Sequence, residues 1–148
     1  MLKFYRGFTL VECLVTIVVI AILAAVAIPS FKRDLIKKEV EGSQLKIQRA
    51  LQLARQHAMI QANHVVMCNS DDGKACSTEH WSQGFIVFVD INKNRQRESN
   101  ESLILGEALN LKYGQLSWGS LNRDNLSFLP RTGLPLGSNG TFSYCAQN

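Results

Sequence analysis

The chain has 148 residues, a formal net charge of +4 and 46% hydrophobic residues. Much of the apolar content lies in one run near the N-terminus, and no second run of 18 apolar residues follows it. The composition therefore excludes a polytopic membrane protein, and the roughly 120 residues beyond the run suffice for one domain with its own core.

The first predicted element is a membrane-spanning helix over residues 8–28. This segment contains one charged side chain, Glu12, and a helix of about 21 residues spans roughly 30 Å, the thickness of one hydrocarbon core. A carboxylate within such a segment costs roughly 2.5 to 3.5 kcal/mol on insertion scales and normally has a partner. We therefore expect a cationic group to meet Glu12.

An amphipathic helix is predicted to continue from Pro29 to about Gln61. Proline at this position can kink or restart a helix without ending the element, and Gly42 is a second weak point. Apolar side chains recur near i, i+4 and i+7 spacing, which predicts a stripe that packs on a sheet. The residues of this stripe are Leu45, Ile47, Leu51, Ala54 and Ala58.

The rest of the chain is predicted to form strands. The strongest candidate is residues 84–90, which are rich in β-branched and aromatic side chains. A second strand is predicted at residues 64–68. Weaker candidates, mostly separated by turns with Gly, Asn or Pro, are residues 103–105, 115–118, 126–129 and 141–145. The predicted fold class is therefore α+β, with a long N-terminal helix packed on an antiparallel sheet domain.

Three cysteines follow the apolar run, in addition to Cys13 within it, which we interpret as a packing residue. Cys68 and Cys76 enclose a short Asp-Asp-Gly turn, so their pairing is favoured and would stabilise the loop by roughly 2 to 3 kcal/mol. The alternative pairs Cys68 with Cys145 and leaves Cys76 free. A zinc site with His80 is disfavoured, because structural zinc sites need four ligands with two of them two to four residues apart.

Residues 90–101 follow the rhythm of oxygen ligands in a calcium loop at positions 1, 3, 5, 9 and 12. Arg95 stands at position six, where such a loop needs glycine, and Lys93, Arg95 and Arg97 would repel a cation. A polar hairpin turn is the favoured interpretation. We accordingly predict neither a metal site nor a cofactor.

No arrangement of catalytic residues is apparent in the sequence. The histidines are scattered, and the chain contains neither a Gly-x-Ser-x-Gly motif nor a phosphate loop. We predict that the protein is not an enzyme.

Gly7, Phe8 and Glu12 together resemble the start of a type IV pilin-like precursor. The resemblance implies that prepilin peptidase removes residues 1–7 after Gly7, and that Phe8 becomes the N-methylated first residue. It also implies that Glu12 pairs with the terminal amine of a neighbouring subunit. A secretory signal cleaved near Ala27 and an uncleaved anchor are the alternatives, but both leave the acid unexplained.

The sequence of the later part resembles the FimT/GspH class of minor pilins and pseudopilins, through Trp-Ser-Gln-Gly-Phe-Ile-Val-Phe-Val-Asp at 81–90 and Gly-Thr-Phe-Ser-Tyr-Cys at 140–145. The resemblance implies a leader (1–7), a transmembrane and assembly half of the helix (8–29) and a soluble periplasmic pilin-like domain (30–148). Lysines and arginines after the apolar run would by themselves predict the opposite orientation. An oxidising compartment would permit the cysteines to pair.

The function that this resemblance implies is that of a FimT/FimU-like minor type IV pilin, which assembles through its N-terminal helix into a pilus or an initiation or tip complex. The alternative is an H-type pseudopilin of a type II secretion system. The expected partners are other pilin or pseudopilin subunits, the prepilin peptidase and the inner membrane. The protein would span that membrane once before it joins a pilus or pseudopilus.

DNA uptake is a further expectation, because FimT-like proteins are associated with DNA binding through a C-terminal loop. The corresponding residues 130–139 hold one arginine and lack the Gly-Arg-x-Arg pattern of those binders. Basic side chains that could converge and give weak, salt-sensitive phosphate binding are Lys93, Arg95, Arg97, Arg123 and Arg131. The alternative is a solvated basic surface.

Overall fold

A computed structural model of the chain describes residues 9–78, 81–120, 125–135, 137 and 139–147. One long helix precedes six strands, as predicted, and the α+β class with a helix on an antiparallel sheet is confirmed. The elements are α1 (Leu10–Gln61), β1 (Val65–Asn69), β2 (Gly84–Val89), β3 (Leu103–Ala108), β4 (Gly114–Ser120), β5 (Leu126–Phe128) and β6 (Gly140–Ala146).

The chain divides into two compact units, Met1–Lys37 and Lys38–Asn148. We call the described part of the first, residues 9–37, the anchor segment, and the described part of the second the globular unit. The helical backbone continues through position 29, so the proline does not end the element. The predicted boundaries after residues 7 and 29 stay predictions.

Within the globular unit, α1 contacts the core mostly through small side chains, together with Ile47, which is 5% exposed. Ala50, Ala54 and Ala58 are each 0% exposed, and their spacing of four residues keeps them on one face of the helix. Small side chains at these positions let the helix backbone lie close to the sheet. The prediction for Leu45 was wrong: it is 46% exposed, because nine residues at about 100° each place it opposite Ala54.

The main sheet has the strand order β3-β2-β1-β5, and every neighbouring pair is antiparallel. All residues of β1 and β2 are buried, so both faces of these central strands are covered. Val65, Met67, Phe85 and Val87 belong to the core cluster that contains the helix alanines. The alternate residues form a second cluster, against which Cys76 packs: Val66, Cys68, Ile86 and Phe88.

A second, two-stranded sheet is formed by β4 and β6, which pair in antiparallel register from Gly114↔Ala146 to Ser120↔Gly140. Its aromatic side chains join it to the core. The Phe142 ring lies 4.7 Å from the Trp118 ring and 5.1 Å from the Trp81 ring, centroid to centroid, the latter edge to face. Edge-to-face pairs of this kind contribute about 0.5 to 1.5 kcal/mol beyond their buried area.

Candidate functional site

The start of α1 forms a reciprocal cap between Thr9 and Glu12. The Thr9 amide donates to Glu12 Oε2 (3.1 Å), and the Glu12 amide donates to Thr9 Oγ1 (3.2 Å). The Thr9 hydroxyl also donates to the same carboxylate oxygen, at 3.2 Å. This is a capping box, which satisfies two backbone donors that a helix start leaves unpaired. Glu12 therefore has partners within its own chain, whereas Gly7 and Phe8 lie outside the described residues.

The described side chains of the anchor segment form an exposed apolar surface. None of its described side chains is buried. One helix in the described part of the chain is long and apolar enough to cross a membrane, and its most apolar window is 0% buried. The side chains that are about half exposed or more are Leu10, Val11, Leu14, Val15, Ile17, Val18, Val19, Ile20, Ile22, Leu23, Ile28 and Phe31.

A disulfide joins Cys68 and Cys76, the pair that the sequence favoured, with their Cα atoms 5.6 Å apart. Cys68 lies at the end of the buried strand β1, and Cys76 covers the second core cluster. The bond therefore holds the loop after β1 over the sheet face that the helix does not cover. Cys145, the alternative partner, is exposed and has a free thiol, as does Cys13.

Three of the predicted basic residues share the loop between β2 and β3. Lys93 is exposed, whereas Arg95 and Arg97 are half-buried. The Arg97 guanidinium donates to the carbonyl oxygens of Lys74 (2.6 Å) and Glu101 (3.3 Å). Arg97 thus links this loop to the disulfide loop instead of presenting its charge fully to solvent.

The other basic candidates do not extend this group. Arg123 lies outside the described residues. Arg131 is exposed and occupies a turn where its backbone amide donates to the Ala58 carbonyl, 3.1 Å away. In the same turn Gly133 has φ +61°, and a Cβ there would meet the Arg55 side chain at 2.6 Å. The turn is thus packed on the end of α1, and DNA binding stays a prediction.

Glu39, a partly buried residue, is at the centre of a hydrogen-bond cluster that the sequence analysis did not predict. Its carboxylate accepts bonds from the backbone amides of Lys112 (2.7 Å) and Tyr113 (3.1 Å) and from the Tyr144 hydroxyl (2.7 Å). By itself, partial burial would raise the pKa of Glu39. The hydrogen bonds from Tyr144 and from the two amides outweigh this effect, so the pKa of Glu39 lies below its ordinary value. Burial, and to a smaller extent the hydrogen bond to Glu39 and the charge of Glu39, raise the pKa of Tyr144 to about 12.

Next to this cluster, a groove of about 410 Å³ lies between α1 and the second sheet. Its walls are mostly apolar, and Tyr144 is the one lining residue that titrates. Among the described residues, no three His, Cys, Asp or Glu side chains are grouped so as to hold a metal ion. His80, named in the zinc alternative, lies outside the described residues. The expectation of a non-enzyme stays a prediction.

The functional residues that the sequence analysis missed differ in whether a local signal existed. Thr-x-x-Glu at residues 9–12 is the pattern of a capping box, so the intrachain partner of Glu12 could have been predicted. Glu39 and Tyr144 are 105 residues apart, and no periodicity links them. Only the tertiary fold brings them together.

Two family models match the sequence. Residues 45–148 match the family described as type II transport protein GspH. Residues 2–28 match the prokaryotic N-terminal methylation motif, which includes Gly7, Phe8 and Glu12. No curated protein and no solved structure matches the chain significantly.

Proposed function

This chain belongs to the GspH family, and we propose that it acts as a minor type IV pilin that is built into a fibre or its tip through the N-terminal helix. Both the apolar helix and the methylation motif are consistent with anchoring in the inner membrane. The family implies assembly with other pilin or pseudopilin subunits and processing by prepilin peptidase. We propose a periplasmic location for the globular unit and no enzymatic activity.

The observation that carries the proposal is the uncovered apolar surface of the anchor segment. Its described side chains gain little from the fold, because none of them is buried. Burial of apolar area is worth roughly 25 cal/mol per Å², so this surface needs another cover. Lipid covers this surface before assembly, and the same segment of neighbouring subunits covers it afterwards.

Processing creates the group that completes this contact. We propose that cleavage after Gly7 frees the Phe8 amine, which is then methylated. The amine would carry a positive charge into an apolar environment, where Glu12 of a neighbouring subunit neutralises it. An unpaired charge in such a place costs several kcal/mol, so this pairing would fix the axial register between subunits.

The capping box makes a sharp test of this role available. Glutamine at the third helical position also forms a capping box, so Glu12→Gln keeps the cap and removes the charge. Thr9→Ala does the reverse, because it removes the hydroxyl and keeps the carboxylate. The two variants therefore separate helix capping from charge pairing.

The variants would be produced in a strain that lacks the native gene. The readouts are the mass of the mature N-terminus and the amount of subunit in sheared fibres relative to membranes. We expect Glu12→Gln to reach the membrane normally and to fall about ten-fold or more in fibres, because a buried charge pair is broken. Thr9→Ala should stay close to the parent protein. Normal assembly of Glu12→Gln would show that the charge is not needed, and a mature N-terminus other than Phe8 would contradict the processing step.

A second candidate, an H-type pseudopilin, is favoured by the description of the matched family as a type II transport protein. A deletion strain distinguishes the two. Loss of pili with normal secretion supports the minor pilin, and loss of protein secretion with normal pili supports the pseudopilin. Transformation measured in the same strain tests DNA uptake. Reduced transformation in cells that still have normal pili would support a role in DNA uptake.

A further inference from the structure

Strand β6 forms an outer edge of the second sheet, and its hydrogen-bonding phase can be read from one bond. The Gln147 amide donates to the Tyr113 carbonyl, 2.8 Å away. Hydrogen-bonded positions alternate along an antiparallel pair, so in the register of β4 with β6 the backbone groups of Thr141, Ser143 and Cys145 bond to β4. The residues whose amides and carbonyls point away from β4 are Gly140, Phe142, Tyr144 and Ala146.

The opposite edge of β4 agrees with this phase. The Leu116 amide donates to the Ser82 hydroxyl (2.9 Å), which in turn donates to the Leu116 carbonyl (3.5 Å), so Leu116 directs its backbone groups away from β6. On β6 the outward amides and carbonyls have no hydrogen-bond partner within the described part of the chain. One edge of the second sheet is therefore held by Ser82, and the other is free.

Two other outer strands carry features that natural sheets use to prevent edge pairing, such as bulges, charges, prolines and short length. Strand β3 has a register shift in its pairing with β2 and carries Glu107, whose carboxylate pairs with Lys46 (2.7 Å). Strand β5 has three residues and is bridged by Pro135. Strand β6 has none of these features, because it is seven residues long, uncharged and in continuous register with β4.

Two residues of this free edge, Phe142 and Tyr144, also line the groove of about 410 Å³ between α1 and the second sheet. The helix contributes apolar side chains to the other wall, among them Val40, Ile47 and Leu51. Residues directly opposite each other in neighbouring strands direct their side chains to the same face. A strand added to β6 would therefore place every second side chain at this groove.

We propose that the free edge of β6 and the groove beside it bind an extended segment of a partner protein by strand addition. The partner backbone would pair antiparallel with β6, and its side chains opposite Phe142 and Tyr144 would enter the groove. These alternate positions are apolar, because no residue that lines the groove is charged at neutral pH and an unpaired buried charge is costly. The site lies in the globular unit and does not rest on the proposed role of the anchor segment.

A second copy that pairs through its own β6 would leave the groove unfilled. Its groove-side residues would again be Phe142 and Tyr144, which are already held within their own chain. The Tyr144 hydroxyl donates to Glu39 (2.7 Å), and the Phe142 ring contacts the Trp81 and Trp118 rings. A partner segment whose side chains are not packed in a fold of their own suits the groove better.

The probe for this site is a synthetic peptide in which valine and threonine alternate, with a lysine at each end for solubility. Its valines would pair with Phe142 and Tyr144 and face the groove, and its threonines would face the opposite side of the sheet. Binding to the full chain in detergent is measured by fluorescence polarisation of the labelled probe. A matched probe with serine in place of valine should bind about ten-fold more weakly, because it loses apolar burial.

Methylation of the probe's amide nitrogens tests the backbone pairing. In the proposed register the valine amides point to β6, whereas the threonine amides point away from it. Methylated valine amides cannot donate to β6, so this probe should bind about ten-fold or more weakly than the parent probe. The probe with methylated threonine amides is the matched control and should keep its affinity.

Cys145 provides a test of which face the probe presents, because its thiol is free and exposed. On the free edge it occupies a non-hydrogen-bonded position, where facing Cα atoms lie about 4.5 Å apart, within the range of a disulfide. In a Cys13→Ser background, a probe with cysteine in place of one threonine should form a disulfide with Cys145 under mild oxidation. A probe with cysteine in place of one valine should not. Cys145→Ser should bind the parent probe normally.

The proposal makes definite demands on these measurements. Equal binding by the two methylated probes, or no binding of the parent probe at about 1 mM, would overturn strand addition. Equal cross-linking by the two cysteine probes would overturn the assigned register. Disulfide-linked dimers of the chain through Cys145 that the probe does not suppress would overturn the choice of occupant, because a second copy would then fill the edge.

Discussion

The two parts of helix α1 use apolar side chains for opposite purposes. In the anchor segment large side chains such as Ile17 and Leu23 are more than 60% exposed. In residues 38–61 the contacts with the core are made by three alanines that are 0% exposed and by Ile47, which is 5% exposed. The difference teaches that hydrophobicity alone does not mark the core of this protein. The large apolar residues of the anchor segment stay exposed, whereas residues 38–61 contact the core mostly through small ones.

The largest expected effect is the difference in stability change when an alanine is replaced by leucine in each of the two parts. Ala54→Leu inserts three carbon atoms between helix and sheet and should destabilise the globular unit by about 3 kcal/mol, because a packed core cannot take the added volume. Ala25→Leu, at an exposed position of the anchor segment, should change stability by less than about 0.5 kcal/mol. Denaturant unfolding in detergent measures both. Equal effects would remove the distinction between the two parts.

A somewhat smaller effect is expected for the disulfide, which acts on the globular unit alone. Cys76→Ser opens a loop with a sequence separation of 8 and should lower the free energy of unfolding by about 2.5 kcal/mol. Cys145→Ser is the control, because that thiol is free and exposed. Unfolding midpoints measured with and without reductant provide the check. A parent protein that reductant does not destabilise would contradict this role.

The smallest effect should come from Glu39, the carboxylate of the globular unit that compares with Glu12 of the anchor segment. Glu39→Gln removes the charge that accepts three hydrogen bonds and should cost about 1 kcal/mol near neutral pH. The pKa of Glu39 is lower in the folded than in the unfolded protein, so its contribution exists above the ordinary pKa of 4.5 and is lost as the pH falls through the folded value.

Unfolding measured from neutral to acidic pH checks this sign, because the parent and Glu39→Gln should converge at the acid end. Tyr144 behaves in the opposite sense. Its raised pKa of about 12 keeps its contribution intact up to its ordinary value of 10.0, and that contribution is lost as the pH rises further. A constant difference between the parent and Glu39→Gln at every pH would show that the charge of Glu39 is not what stabilises the cluster.

Most of the fold could be predicted because its elements have strong local patterns. The β-branched and aromatic run in β2 and the helical run to Gln61 lie where the sequence placed them. The prediction failed at Leu45. This residue lies near the spacing of the apolar stripe, but it is on the helix face away from the core. It also ended β3 at residue 105, although the strand extends to Ala108, because Gly106 and Glu107 have low strand propensity and pairing with β2 overrides it.

The sequence by itself identified the class of protein, through the family resemblance that Gly7, Phe8 and Glu12 carry and through the family models that match it. It also favoured Cys68 with Cys76, since residues so close in sequence pair at little entropic cost. Only the tertiary structure decided the rest. It brought Glu39 to Tyr144, and it revealed that Arg95 adopts the left-handed turn beside a buried oxygen of Asp90. Side-chain identity alone does not reveal backbone conformation, and residues distant in sequence meet only when the chain has folded.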